Sequence, residues 1–166
     1  MISIRRETDY AARIVLHLAI MGNDARMTAE EVAQKRLMPR AFARRIIGRL
    51  GAAGILRTIR GSGGGFTLSH PASRISLLDI IQAMEGSPAL NPCVDDPFAC
   101  PLTSECPVRT SWAKVTQRFI EDLESIHFDY LANASKNSVQ AGHQKSVGVK
   151  IHKPRTKKKG DSRGRA

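Results

Sequence analysis

Apolar positions recur at three- and four-residue spacing over residues 8–21 (TDYAARIVLHLAIM), which predicts an amphipathic helix. Thr8 stands at its start as a cap, Asp9 falls in its first turn, and Gly22 follows its end. Thr28-Ala-Glu-Glu31 has the capping-box spacing, hydroxyl and carboxylate each satisfying the other's end amide, and it opens a short helix to about Arg36. Leu37-Met38 then makes a tight connection. Pro39 suits the first position of a new helix running to Ala53 and stopped by Gly54. Strict alternation takes over at Ile55–Arg60, Gly61–Gly65 is a turn, and Phe66–Ser69 is the return strand. Two helices joined by a tight turn and followed at once by a β-hairpin is the winged-helix order.

Ser76-Leu-Leu-Asp79 begins a further capped helix, closed by Gly86. Residues 87–107 are proline-rich and irregular. A long helix follows over about 108–126, with Trp112, Val115, Phe119, Leu123 and Ile126 at helical spacing. An amphipathic helix of this length beyond a winged domain needs a partner for its apolar stripe, so Trp112, Val115, Phe119 and Leu123 are the expected dimer contacts. From Asn133 the chain is Ser, Gly, Lys and Arg without a core pattern, which predicts disorder. The fold expected is mainly α with a β-hairpin wing: a winged helix-turn-helix over 1–86, a cysteine loop over 87–107, a dimerisation helix and short following segment over 108–133, and a basic tail over 134–166.

The chain has 166 residues, enough for one good core and too few for two large domains. It has no run of the roughly 18 apolar residues that a membrane helix needs. The opening MISIRRETDY meets Arg and acid before any apolar stretch, unlike a secretory signal, so a reducing cytoplasm is expected. The formal net charge of +11 is unevenly placed. Residues 32–78 carry nine Lys and Arg and no acid, residues 79–135 sum to −6, and the last 31 residues sum to +9. A basic block inside a mildly acidic body reads as a polyanion-binding surface.

That block contains the predicted second helix of the pair. At 100° per residue, Phe42, Ala43, Ile46 and Leu50 share one face, and Arg40, Arg44, Arg45 and Gly48 share the other. The apolar face is core. Arginine binds phosphate, or guanine O6 and N7 bidentately, and a helix fits the major groove. Arg40, Arg44, Arg45 and Arg49 are therefore candidate DNA contacts. The wing adds Arg57, Arg60, Ser62, Gly63 and Gly64, whose small residues let backbone lie close to a minor groove. A phosphate-cradling nucleotide loop is excluded here, because no Lys-Ser/Thr follows and the next element is a strand. Double-stranded DNA is the expected partner. Two copies related by a two-fold axis would place their helices in successive major grooves of a near-palindromic operator.

All three cysteines, Cys93, Cys100 and Cys106, lie within fourteen residues in a C-x6-C-x5-C pattern. Their surroundings, NPCVDDPFACPLTSECP, cannot build a core, so a purely structural role is disfavoured. An odd count in a cytoplasmic chain argues against a disulfide framework. Zinc sites show tighter C-x2-C pairs and a fourth ligand nearby. The wide spacing suits an iron–sulfur cluster, with zinc, a thiol redox role or no cofactor as alternatives. A thiol enzyme with Cys100 or Cys106 as nucleophile would need a base and a basic setting, whereas the segment carries Asp95, Asp96 and Glu105.

Over residues 1 to about 133 the sequence resembles the IscR/NsrR/RirA family of bacterial winged-helix regulators. The matching residues are Thr8-Asp9-Tyr10-Ala11, the wing Arg60–Phe66, the capped helix Ser76–Ile81, and the cysteine triplet. The resemblance implies a homodimeric transcription regulator, a repressor rather than an enzyme, whose long helices cross. It implies a cluster that alters DNA affinity in response to iron, nitric oxide or redox state. IscR-type members have a histidine three residues after the last cysteine; here that residue is Arg109. Members resembling the nitric-oxide sensors use an acidic residue near the N-terminus, a place that Asp9 matches, with Glu7 as the neighbouring rival. Asp9 is thus the expected fourth ligand, supplied by the partner subunit, and [4Fe–4S] is favoured over [2Fe–2S].

Overall fold

The structure, a computed structural model, describes residues 3–140 except Asn23, Leu37 and Ser62. Helix α1 (Arg6–Met21) forms the centre of the core. Helices α2 (Ala29–Arg36) and α3 (Arg40–Ala52) make the helix-turn-helix, and strands β1 (Leu56–Ile59) and β2 (Gly65–Leu68) make the wing. Helix α4 (Leu77–Glu85) follows a short 3-10 turn. A helical turn α5 (Pro92–Asp95), the long α6 (Pro107–Ser125) and α7 (Phe128–Gln140) complete the described chain.

Local chemistry sets most of these boundaries as the sequence predicts. Glu31 accepts the Thr28 N–H at 2.7 Å and donates its own N–H to the Thr28 hydroxyl at 3.2 Å, opening α2. The Thr28 amide, then the Thr28 hydroxyl, hold the Glu31 carboxyl below its ordinary pKa. Ser76 and Asp79 form the same reciprocal box at the start of α4, with bonds of 2.7 and 3.2 Å. Pro39 stands just outside α3, at its cap, one place earlier than predicted.

Thr8 does not cap α1. The helix begins two residues earlier, and Thr8 is buried inside it, its hydroxyl donating to Glu85 Oε1 at 2.5 Å. The same carboxylate oxygen accepts the Arg5 N–H at 2.9 Å. A side chain at the end of α4 thus satisfies an amide that a local cap would otherwise take.

The wing strands are antiparallel, pairing Leu56 with Leu68 and Ile59 with Gly65. On the other edge of β2, Met27 forms an isolated antiparallel bridge, exchanging backbone bonds of 3.0 and 2.8 Å with Phe66. At the tip, Gly61 and Gly63 have φ of 105° and 79°, which disfavour any side chain. A Cβ on Gly64 would meet the Ile59 carbonyl oxygen at 2.6 Å. Backbone geometry thereby favours glycine at these three positions.

The core joins Ile14, Val15 and Leu18 of α1 to Ile46 and Leu50 of α3, Phe66 and Leu68 of β2, and Ile80 and Met84 of α4. Phe128 and Ala132 of α7 are buried in the same cluster. The expectation of a disordered chain from residue 134 is therefore corrected. Helix α7 crosses that boundary and packs along α1, because Phe128, Leu131 and Ala132 give it an apolar face. Residues 141–166, which hold most of the basic tail, lie outside the described residues.

Candidate nucleic-acid interface and cysteine loop

Helix α3 buries Ala43, Ile46 and Leu50 and leaves Ala41, Arg44 and Gly48 exposed on the opposite side. Arg44 is exposed, and no described residue pairs with it. The other three arginines are exposed as well but already engaged. Arg40 forms an ion pair with Glu30 of α2. Arg45 donates to Glu7 of α1, and its guanidinium lies 5.1 Å from the centre of the Phe42 ring. Arg49 donates to the Met84 carbonyl of α4 and lies 3.8 Å from Glu7. Tyr10 of α1 meets Phe42 edge-to-face at 5.8 Å, fixing the α1–α3 contact.

The pairing of Arg40, Arg45 and Arg49 was invisible in the sequence. Their partners Glu7 and Glu30 lie outside the acid-free block, and only the packing of α1 and α2 brings them to α3. In the wing, Arg57 and Arg60 are exposed beside the glycine tip. Gly63 and Gly64 form that tip, and Ser62 lies outside the described residues.

The cysteine loop runs from the end of α4 to the start of α6. Cys93 lies in α5, beneath an Asn91 cap, Cys100 lies in the following turns, and Cys106 immediately precedes α6. All three are free thiols of intermediate exposure. The loop is tied down at few points. Leu90 N–H donates to the buried Thr116 hydroxyl at 3.4 Å, and Arg109 Nε donates to the Cys93 carbonyl at 2.8 Å. Arg109 thus braces the loop backbone from the position where IscR-type members would have a histidine. Phe98 and Leu102 project outward, 96% and 68% exposed.

Among the described residues, no three His, Cys, Asp or Glu side chains stand together as a metal site. The structure does not bring Asp9 to the cysteines within one chain. Asp9 is exposed on α1, its carboxylate accepting from Arg13 Nε at 2.9 Å.

On α6, Val108, Trp112 and Val115 are exposed at 58%, 39% and 48%. Phe119 and Leu123 are half-buried, and Phe119 helps line a cleft with Ile4, Ile81 and Leu90 of its own chain. The predicted stripe therefore divides into an outward part and a part turned toward α4. No described helix is long and apolar enough to cross a membrane.

Comparison with known proteins places this architecture. Protein aau3 of Rhizobium meliloti is 30% identical over 132 residues, covering 79% of this chain and 85% of that protein. Protein rrf2 of Nitratidesulfovibrio vulgaris is 26% identical over 127 residues, covering 76% and 85%. The structure of CymR, the global cysteine regulator of B. subtilis, superposes with a TM-score of 0.66 at 26% identity, covering 81% of this chain and 98% of that one. The structure of T. potens IscR shares the fold, with a TM-score of 0.63 at 21% identity and coverage of 87% and 94%. Residues 4–134 match the Rrf2 family, described as iron-dependent transcriptional regulators. With the winged helix, the glycine-tipped wing and the long helix beyond it all inside that match, the chain is a member of the Rrf2 family of transcription regulators.

Proposed function

We propose that the protein is a homodimeric repressor whose operator affinity is set by an iron–sulfur cluster on Cys93, Cys100 and Cys106. The observation that carries this reading is the placement of every cysteine of the chain in one sparsely anchored loop, as unpaired thiols outside the core. Three thiolates are the donor chemistry of such a cluster. The described conformation does not gather them, and a loop with so few anchors has the freedom to draw in. A bound cluster would supply a centre reactive toward oxidants and nitric oxide.

The remaining roles fall to the protein's own groups. Arg44 enters the major groove, Arg57, Arg60 and the wing tip follow the backbone, and the two-fold axis makes the operator near-palindromic. Asp9 of a second copy is the proposed fourth ligand, favouring [4Fe–4S]. To serve, it must leave Arg13, an exposed i,i+4 pair whose loss costs only about 0.2–0.5 kcal/mol. Protein purified without oxygen should be brown and carry iron and acid-labile sulfide in equal amounts. Colourless protein without metal would reject the cluster. It would instead favour a thiol-based regulator, a second reading supported by the three free thiols and the 26% identity with a cysteine regulator.

The dimer is proposed to close over the outward face of α6. Val115→Asp puts a charge into that face while touching nothing in the core. Sedimentation should show monomers that still unfold cooperatively, at a melting temperature lowered by loss of the partner. A dimeric Val115→Asp protein would move the interface elsewhere.

A further inference from the structure

We infer that Glu7 is a specificity-determining residue, an internal anion that occupies Arg45 and keeps it from DNA phosphate. This rests on the reading of α3 as the helix that meets DNA. The acid-free block gives α3 four arginines and no carboxylate of its own. The fold then brings a carboxylate to each flank, Glu30 to Arg40 and Glu7 to Arg45 and Arg49. Arg44 alone among the four is left open by the described residues.

The two arginines held by Glu7 are not equivalent. Arg49 also donates to the Met84 carbonyl, so it stays anchored to α4 whether or not Glu7 is charged. Among the described residues, Arg45 has Glu7 as its charged partner and otherwise only the face of Phe42. Its side chain is 59% exposed, against 25% for Glu7. A phosphate approaching this flank must compete with a carboxylate fixed in place. Glu7 itself is fixed because its neighbours Arg5 and Thr8 are tied to Glu85.

Phosphate contacts supply affinity for any sequence, and base contacts supply discrimination. An internal anion on Arg45 suppresses the first without touching Arg44, to which the second is assigned. Removing its charge should release one cation, not two.

The test is fluorescence anisotropy of the full chain on a 30-base-pair duplex of random sequence, over a salt series, with all variants in one measured iron state. Glu7→Gln keeps the shape of the side chain and removes its charge. It should bind roughly 5- to 10-fold more tightly at 0.1 M salt, with a salt slope steeper by about 0.9, as expected for one added phosphate contact. In an Arg45→Ala background the same change should do nothing. Arg45→Ala alone should be nearly neutral, whereas Arg44→Ala should weaken binding and flatten the slope.

Glu7→Gln binding no tighter than the parent, with a normal melting curve, overturns the inference. A gain that persists without Arg45 also overturns it, by reducing the effect to net charge. If Glu7→Gln does not fold, Arg45→Ala decides: a large loss on random DNA means that Arg45 already contacts phosphate. A neutral Arg44→Ala would reject instead the reading of α3 on which the inference stands.

Discussion

Cys93→Ala, Cys100→Ala and Cys106→Ala should each fold normally and each lose nearly all bound iron and visible absorbance. The two halves of that result have separate physical grounds. None of the three thiols belongs to the buried core, and each is partly exposed. Substitutions away from the core are usually within about 0.5 kcal/mol of neutral. Cys106 precedes α6 without a side-chain capping bond, so alanine there removes no cap. Cys93 gives up only a thiol contact of 3.3 Å to Asn91. The loss of cofactor, by contrast, should be nearly complete, because the chain has only these three cysteines and no spare thiolate can replace one that is lost. Iron analysis and thermal melting of the same anaerobic preparations test both halves. A single variant that retains full iron removes that cysteine from the ligand set.

Phe128→Ala should destabilise the fold severely, costing about 3–5 kcal/mol. The ring is fully buried, where α7 begins and closes against the core around α1. The backbone around it is also spoken for. Phe128 N–H donates to the Ile75 carbonyl at 2.9 Å, and Leu77 N–H donates to the Ile126 carbonyl at 2.9 Å. These bonds resist collapse of the site onto the vacancy, which favours the upper end of the range. Denaturant unfolding of the full chain measures it. A loss below about 1 kcal/mol would mean that α7 contributes little to the core.

The helix-turn-helix and wing were legible because their signals are local. Capping boxes at Thr28 and Ser76 act within four residues, and the period changes from helix to strand at Ile55 without overlap. The cysteine triplet was legible for the same reason. Features that depend on partners distant in sequence were not. Thr8 has the chemistry of a cap, yet Glu85, 77 residues away, takes over that work and lets the helix start earlier. The four arginines of α3 look alike in sequence; only the positions of α1 and α2 separate the open Arg44 from the three that are paired. Helix α7 carries a readable apolar face at Phe128, Leu131 and Ala132. The polar residues that follow masked it, because they lack helix propensity and sit next to a strongly basic tail. Intrinsic preference there is overruled by packing on α1.

The pairing of α1 with α7 brings together segments more than 100 residues apart in the chain. During synthesis the first helix is made early, and its companion follows after roughly 10 s at ordinary elongation rates. Throughout that interval Ile14 and Leu18 can meet α3, the wing and α4 as these emerge, but the side awaiting α7 has nothing to cover it. The nascent chain therefore spends its assembly time with a winged domain whose central helix is incompletely enclosed. Closure of the last helix is what ends that exposure, so a chain terminated before Phe128 should leave that side of α1 open to association with other chains.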